Sequence, residues 1–286
     1  MKDKIALNRN RHDRDSAGFV YIYPVLSRRA QGISVGINLN TNNACNWRCI
    51  YCQVPNLTRG AAPDVDVALL EKELHAFLTY AEQNQFAFYD DDGVLRPVVD
   101  ICFSGNGEPT ASPKFAEVVE SVLKLLEGFQ LQNKIKLVVI SNGSEIYKAD
   151  VQTAMKKLSQ HNGEIWFKID AGCEEDWKRI NQTHLTTERV LKHLEVAVGN
   201  IPTRIQTCVF GDASDKINPA WQKNYLALLK IIKSRDIKIR DVLIYSVARP
   251  PQLPEGANLM QIPQHELNTF GLKVEELGFE VQTFQA

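Results

Sequence analysis

Apolar positions along this chain follow two spacings in turn: short continuous runs typical of buried strands, and the three-to-four-residue spacing typical of helices. The runs predict strands over residues 33–40, 98–104, 135–140, 165–169, 203–210, 239–245 and 279–284. Helical spacing predicts helices over 70–81, 112–126, 149–159, turns up to about 198, 219–234, and a last helix before 279. Ser112 is the predicted N-cap of its helix, with Pro113 at the first helical position.

Six or seven strand–helix units of this kind predict a parallel sheet covered by helices, which right-handed crossovers curl toward a barrel. Six units are too few to close an eight-stranded barrel. We therefore expect an α/β fold, a partial (β/α)6 TIM-like open barrel over residues 33–250. A basic extension, 1–32, precedes it, and a short helix–strand extension, 251–286, packs on it. Functional residues should follow the strands directly.

The composition is that of an ordinary globular chain, with 44% hydrophobic and 23% charged residues. The polar N-terminus lacks the apolar core of a signal peptide, and no stretch approaches the ~18 apolar residues of a membrane span. We expect a cytoplasmic protein with reduced thiols and no membrane partner.

The net charge of −1 hides an asymmetry along the chain. The first sixty residues carry nine Lys or Arg against three Asp, so the acidic excess lies in the remainder. A basic segment beside an acidic body suits an anionic substrate or RNA, but equally a solvated tail. The pair Arg28 and Arg29 leaves the same two readings open.

Three of the six cysteines, Cys45, Cys49 and Cys52, crowd into eight residues directly after the first predicted strand. Thiolates are the usual ligands of iron–sulfur clusters, and three on one loop leave the fourth iron of a cubane open to a small molecule. Structural zinc normally takes four protein ligands, and no second pair is visible. Cys102 and Cys208 lie in apolar strands and are predicted to be core residues.

The spacing C-x3-C-x-aromatic-C, with Tyr51 at the aromatic position, resembles the signature of the radical S-adenosylmethionine (SAM) superfamily. The resemblance implies that Cys45, Cys49 and Cys52 hold a [4Fe–4S] cluster and that SAM chelates its fourth iron. It also implies an oxidoreductase-type reaction, in which SAM is cleaved to a 5′-deoxyadenosyl radical that takes a hydrogen atom from the substrate. A reductant such as flavodoxin or ferredoxin would be the partner.

Polar strand ends extend the resemblance. Gly105, Asn106, Gly107 and Glu108 look like the family's GGE turn, which bonds the SAM amino group, with Asn106 replacing its second glycine. Taken alone, this segment is a glycine-rich turn with an exposed glutamate.

The next two strand ends are more ambiguous. Ser141 and Asn142 resemble the polar strand end that contacts SAM, although an Asn-Gly turn explains them as well. Lys168 and Asp170 alternate onto one face of the fourth strand, where they either contact SAM or pair with each other. Arg249 either holds an anion or caps its loop, and Cys173 is predicted near the mouth.

The patterns SVGINLN over 34–40 and SGNGEPT over 104–110 look most like the wyosine-synthase-like branch of the superfamily. No cysteine precedes Cys45, so that branch's second N-terminal cluster cannot form, and the chain is not basic overall. The substrate expected is therefore a small molecule, a nucleotide or RNA. A non-catalytic electron carrier or sensor, and a glycyl-radical activating enzyme, are the alternative functions.

Overall fold

The computed structural model describes residues 17–27 and 29–285. Predictions for residues 1–16 and for Arg28 lie outside this part of the chain. Its strands are β1 (Ile22–Ser27), β2 (Gly32–Ile37), β3 (Ala44–Cys45), β4 (Thr58–Arg59), β5 (Ala87–Tyr89), β6 (Leu95–Phe103), β7 (Lys136–Ser141), β8 (Gly163–Lys168), β9 (Thr203–Val209), β10 (Gly211–Asp212), β11 (Val242–Ser246), β12 (Leu259–Met260) and β13 (Val281–Phe284). Its helices are α1 (Val67–Gln83), α2 (Phe115–Gly128), α3 (Ala149–Ser159), α4 (Glu174–Ile180), α5 (Thr187–Val198), α6 (Pro219–Ser234) and α7 (Gln264–Glu275).

One curled sheet carries the molecule, in the strand order β1-β2-β6-β7-β8-β9-β11-β13. From β2 to β13 every neighbouring pair is parallel, and β1 pairs antiparallel with β2 at the edge. This arrangement confirms the predicted open, partial TIM-like barrel. β1 and β13 come from the two predicted extensions and join the barrel's sheet; the boundaries drawn at 33 and 250 stay a prediction. Within the described residues, no helix is long and apolar enough to cross a bilayer.

The start of α2 differs from the prediction. The helix begins at Phe115, and its N-cap is Lys114 rather than Ser112. A 3-10 turn over Pro109–Ala111 comes first, and the chain makes one further turn, with Phe115 N donating to Ser112 O at 3.1 Å. The Ser112 hydroxyl accepts from Lys114 N, so it stabilises this extra turn instead of the helix itself.

The turns predicted between β8 and β9 form two helices. α4 ends at Ile180, and α5 begins after Thr186, whose hydroxyl accepts from Arg189 N at 3.2 Å as an N-cap. The break between them places Asn181 against the loop that carries the cysteines. That contact is important for the site described below.

Alternation along the strands separates an apolar outer layer, packed against the helices, from an inner layer that mixes polar and apolar residues. On β9, Ile205 packs in the main core and Thr207 bonds Tyr225 of α6, so both face the helices. The alternate residues of the same strand, Gln206 and Cys208, face the interior of the barrel. The helices therefore complete the core, and the barrel interior is left for a ligand.

Candidate cluster and cofactor site

A cavity of about 950 Å³ opens at the carboxyl ends of the parallel strands and extends into the barrel. This is near the upper end of the ~300–1,000 Å³ that ligand sites span. Most of the predicted site residues line it: Cys45, Cys49, Tyr51, Cys52, Gly105, Asn106, Gly107, Glu108, Asn142 and Lys168. Ser141 and Asp170, the other two, lie behind the wall. The structure thus gathers residues from four separate strand ends around one space.

The cysteine loop is held in place by α4. Ile50 N donates to Ile180 O at 2.8 Å, and Arg48 N donates to Asn181 O at 3.2 Å. Within the loop, Cys52 N donates to Cys49 O at 2.9 Å and closes a turn. The backbone between the cysteines is therefore fixed by a helix end on its outer side, while its thiols face the cavity.

None of the three cysteines is in a disulfide, and all three are half-buried. Burial raises the pKa of Cys45 to about 12 and the pKa of Cys49 above its ordinary value, although Asn181 Nδ2 donates to Cys49 Sγ at 3.2 Å. The positive charge of bound iron would reverse this preference, because a coordinating thiol is deprotonated.

The spacing of these donors is also informative. In the part of the chain that the structure describes, no three His, Cys, Asp or Glu side chains are grouped as ligands of one metal ion. Thiolates that hold three corners of a cubane bind three different irons, and so stand wider apart than the ligands of a single ion. Three cysteines outside disulfides that line one cavity are the donor set that a [4Fe–4S] cluster takes.

Two glycines let the GGE-like turn pack directly on the cysteine loop. A Cβ at Gly105 would lie 2.3 Å from Asn38 Oδ1, and a Cβ at Gly107 would lie 2.3 Å from Ala44 O. Asn38 Oδ1 also accepts from Asn106 N at 3.0 Å. Side chains at either glycine would push the two loops apart, so these residues are required by close backbone approach.

Glu108 is buried and ties the ends of β6 and β7 together. Its Oε1 accepts from Thr110 N at 3.1 Å and Ser141 Oγ at 2.7 Å, and its Oε2 accepts from Asn142 N at 2.6 Å. Burial raises the pKa of Glu108 despite these bonds. A carboxylate oxygen has two lone pairs, so Oε2 retains the capacity to accept from a ligand ammonium.

Asp170 is a fully buried junction between the cysteine loop and the barrel. Its Oδ1 accepts from Lys168 Nζ at 2.8 Å and from Cys208 N at 2.9 Å. Its Oδ2 accepts from Tyr51 OH and, at 3.0 Å, from Asn181 Nδ2. Burial opposes the charge on Lys168, but Asp170 raises the pKa of Lys168 above its ordinary value. Lys168 faces the cavity, and Asp170 positions it together with Tyr51.

Two asparagines in this framework were missed by the sequence analysis. Asn46 Oδ1 accepts from Asn142 Nδ2 at 2.9 Å, and its Nδ2 donates to Ser144 Oγ at 2.7 Å. Its place between two cysteines was a usable signal. Asn181, which donates to both Cys49 and Asp170, had none, because nothing in a helix-ending asparagine marks a contact made 132 residues away.

The structure also places the other three cysteines and Arg249. Cys102 and Cys208 are buried in hydrophobic clusters, as expected of core residues, and both also line the cavity. Cys173 lies off the cavity wall and donates to Asp176 Oδ2 at 3.3 Å. Arg249 donates to Gln53 Oε1 from Nε at 3.0 Å, which joins its loop to the cysteine loop.

Comparisons with known proteins add a family and a fold. A UPF0026 protein of Helicobacter pylori (strain ATCC 700392 / 26695) is 29% identical over 163 residues, which cover 56% of this chain and 46% of the relative. This chain thus spans about half the length of that curated relative.

Two solved structures share the fold. A radical SAM methyltransferase from Sphaerobacter thermophilus matches with a TM-score of 0.61 at 12% identity, covering 93% of this chain and 69% of that one. TYW1 with a lysine-pyruvate adduct bound matches with a TM-score of 0.52 at 15% identity, covering 85% of this chain and 73% of that one. At these identities the likeness shows the shared fold alone.

The family model of the radical SAM superfamily matches residues 39–219, more than half of the chain. That segment contains the three cysteines, the glycine turn and the Lys168–Asp170 pair. This chain belongs to the radical SAM superfamily, whose members bind a [4Fe–4S] cluster and SAM.

Proposed function

We propose that this chain is a radical SAM enzyme that takes a hydrogen atom from an organic substrate held in the barrel. Cys45, Cys49 and Cys52 would hold the cluster. When bound, the cluster would supply the electron that cleaves SAM to a 5′-deoxyadenosyl radical. The observation that carries the proposal is the convergence of three cysteine thiols, the glycine turn and Lys168 on one cavity.

The residues around the thiols would bind and orient SAM. Glu108 Oε2 would accept from its ammonium group, and the turn at Gly105 and Gly107 would bring backbone atoms close to it. Asn142 and Tyr51 would form the wall on either side. The framework is already hydrogen-bonded, so binding would cost little reorganisation.

The loop that follows β11 would keep water from the part of the cavity beside the cysteine loop. Gln252 N donates to Cys52 O at 2.8 Å, and Arg249 bonds Gln53. These contacts cover the cysteine loop from the side of β11. A closed site is useful here because it leaves the bound substrate, rather than buffer molecules and other solutes, within reach of a primary carbon radical. The electron would come from a flavodoxin or ferredoxin.

The experiment is anaerobic. The cluster is reconstituted, SAM and dithionite are added, and 5′-deoxyadenosine and bound iron are measured in wild type, Cys49→Ala and Cys173→Ala. Cys173 is a free cysteine off the cavity wall, so its variant is a matched control. We expect product and cluster iron in wild type and Cys173→Ala, and a loss of both in Cys49→Ala.

Two results would contradict the proposal. One is full cluster iron in Cys49→Ala. The other is an intact wild-type cluster that gives no 5′-deoxyadenosine and whose EPR signal does not respond to SAM. The second result would favour an electron carrier or sensor.

A further inference from the structure

The deep half of the cavity, inside the barrel, contains polar groups that the cofactor does not need. Arg29, from the turn between β1 and β2, reaches this space and lies over two aromatic rings. Its guanidinium carbon is 4.7 Å from the ring centre of Tyr245 and 5.4 Å from that of Trp166. An aromatic ring that stacks on a guanidinium holds the group in place. The N–H groups, which point outward in the plane of the guanidinium, can still donate hydrogen bonds.

The charges around Arg29 do not balance it. The described charged side chains at the floor of the barrel are three carboxylates, Asp100, Glu164 and Asp241, and three cations, Lys136, Arg204 and Arg240. Higher in the barrel, Lys168 is balanced by Asp170. Among the residues that the structure describes, Arg29 makes no ion pair within 4 Å, and the carboxylate that it acts on at longer range is Asp100, whose pKa burial raises and Arg29 lowers.

An unpaired hydrogen-bond donor faces the same space. Gln206 on β9 is 1% exposed and lines the cavity, and its Nε2 has no hydrogen-bond partner among the described residues. Leaving a buried amide unpaired costs stability. A ligand acceptor that reaches Gln206 would recover that cost on binding.

A guanidinium outside any ion pair and an unpaired amide nitrogen in one cavity call for an acceptor with a single negative charge. A carboxylate meets both conditions, because it presents two oxygens to a guanidinium and can accept from an amide as well. A phosphate dianion fits less well, since Asp100 lines the same wall and only one cation is free. The volume leaves room for a small molecule beside SAM.

We infer that the deep half of the cavity is the substrate subsite and binds a small monocarboxylate through Arg29 and Gln206. This inference rests on the proposed function for the ligand's role as substrate, but not for its binding. The hydrogen atom removed would belong to the part of the substrate nearer the cysteine loop.

The test measures binding to the cluster-loaded protein by ligand-observed NMR titration, before any reductant is added. The probes are butyrate, butyramide as a neutral molecule of the same shape, and inorganic phosphate, each with and without saturating SAM. The variants are Arg29→Gln and Gln206→Glu, with Arg189→Gln, an exposed arginine on α5, as the control. Circular dichroism and thermal unfolding check that each variant is folded.

We expect butyrate to bind wild type at least about tenfold more tightly than butyramide, with SAM present or absent. Each of the two cavity variants should weaken butyrate binding at least about tenfold, and Gln206→Glu should weaken it more than removal of a donor alone, because it adds a like charge. Arg189→Gln should bind as wild type does.

Three results would overturn the inference: equal affinity for butyrate and butyramide, phosphate binding as tight as butyrate binding, or displacement of butyrate by SAM. The comparison of probes needs only wild type, so misfolded variants would not leave the question open. The protein could bind butyrate in a way that depends on Arg29 and yet form no 5′-deoxyadenosine. That result would contradict the proposed function and still support the carboxylate subsite.

Discussion

The two halves of the cavity use their polar groups in opposite ways. Beside the cysteine loop, Glu108 and Asp170 are buried and accept hydrogen bonds from several neighbours each. Deep in the barrel, the Nε2 of Gln206 has no hydrogen-bond partner, and Arg29 lies over two aromatic rings outside any ion pair of the described residues. The first arrangement suits a cofactor of constant shape, which binds to a framework already ordered. The second suits a ligand that completes the network only while it is bound.

The largest loss of stability should follow from a substitution in the hydrogen-bonded network beside the cysteine loop. Asp170→Asn removes the charge that balances Lys168 and replaces an acceptor of Tyr51 OH and Asn181 with a group that can clash with them. Breaking a buried pair by removing one partner costs about 3–5 kcal/mol. We expect a loss of that size in the free energy of unfolding, measured by urea titration.

The control for that change is Glu188→Gln, which breaks an exposed ion pair with Arg235. Its loss should be much smaller, because water replaces an exposed partner easily. Equal losses in the two variants would show that Asp170 has no special structural role.

A pH dependence of intermediate size should arise in the deep half. Burial raises the pKa of Asp100 from 3.8 to about 6, although Ser34 Oγ donates to it at 2.5 Å. Between these values the unfolded chain has released a proton that the folded chain retains. Stability contributed by Asp100 is therefore complete below about pH 4 and lost by about pH 6, a difference of about 3 kcal/mol.

Asp100→Asn should abolish this part of the pH dependence. Subtracting the variant's free energy of unfolding from that of wild type, at intervals from pH 4 to pH 7, isolates the contribution of Asp100 from that of other groups. A difference that stays constant across the range would contradict the prediction.

The smallest effect should have the opposite sign. Gln206→Met removes an unpaired buried amide and keeps the side-chain volume, so the ligand-free protein should gain roughly 1 kcal/mol of stability. Gln53→Met is the matched control: Gln53 bonds Arg249, and its replacement should destabilise. The melting temperatures of the two variants should move in opposite directions, and a shared downward shift would refute the contrast.

Much of the fold followed from local pattern. Helices α3 and α6 begin and end where the apolar spacing predicted, at Ala149–Ser159 and Pro219–Ser234. The start of α2 lies elsewhere than predicted, because Ser112 and Pro113 are equally compatible with a turn before the helix. A local cap signal cannot tell one turn from the next when the preceding proline already favours a 3-10 turn.

The candidate site also has parts that the local sequence predicted and parts that it did not. The cysteine triplet and the GGE-like turn are each a short continuous segment, so the spacing of the cysteines indicated an iron–sulfur site and the family resemblance indicated the role of the turn. Gln206 was not singled out, and Cys208 was predicted only as a core residue, because the sequence of a buried strand does not show which of its faces lines a barrel. Arg29 was noted as an arginine, but its two aromatic neighbours lie far along the chain.

By itself, the sequence determined the strand–helix alternation, the cluster loop and the strand ends that follow it, because each depends on residues close together in the chain. Only the tertiary structure decided that Asn181 supports Cys49, that Asp170 stands behind the cavity wall, and that Arg29 and Gln206 share an unbalanced space. Those facts depend on burial and on partners from distant strands. Curling the sheet brings such residues within hydrogen-bond reach, and no local pattern records it.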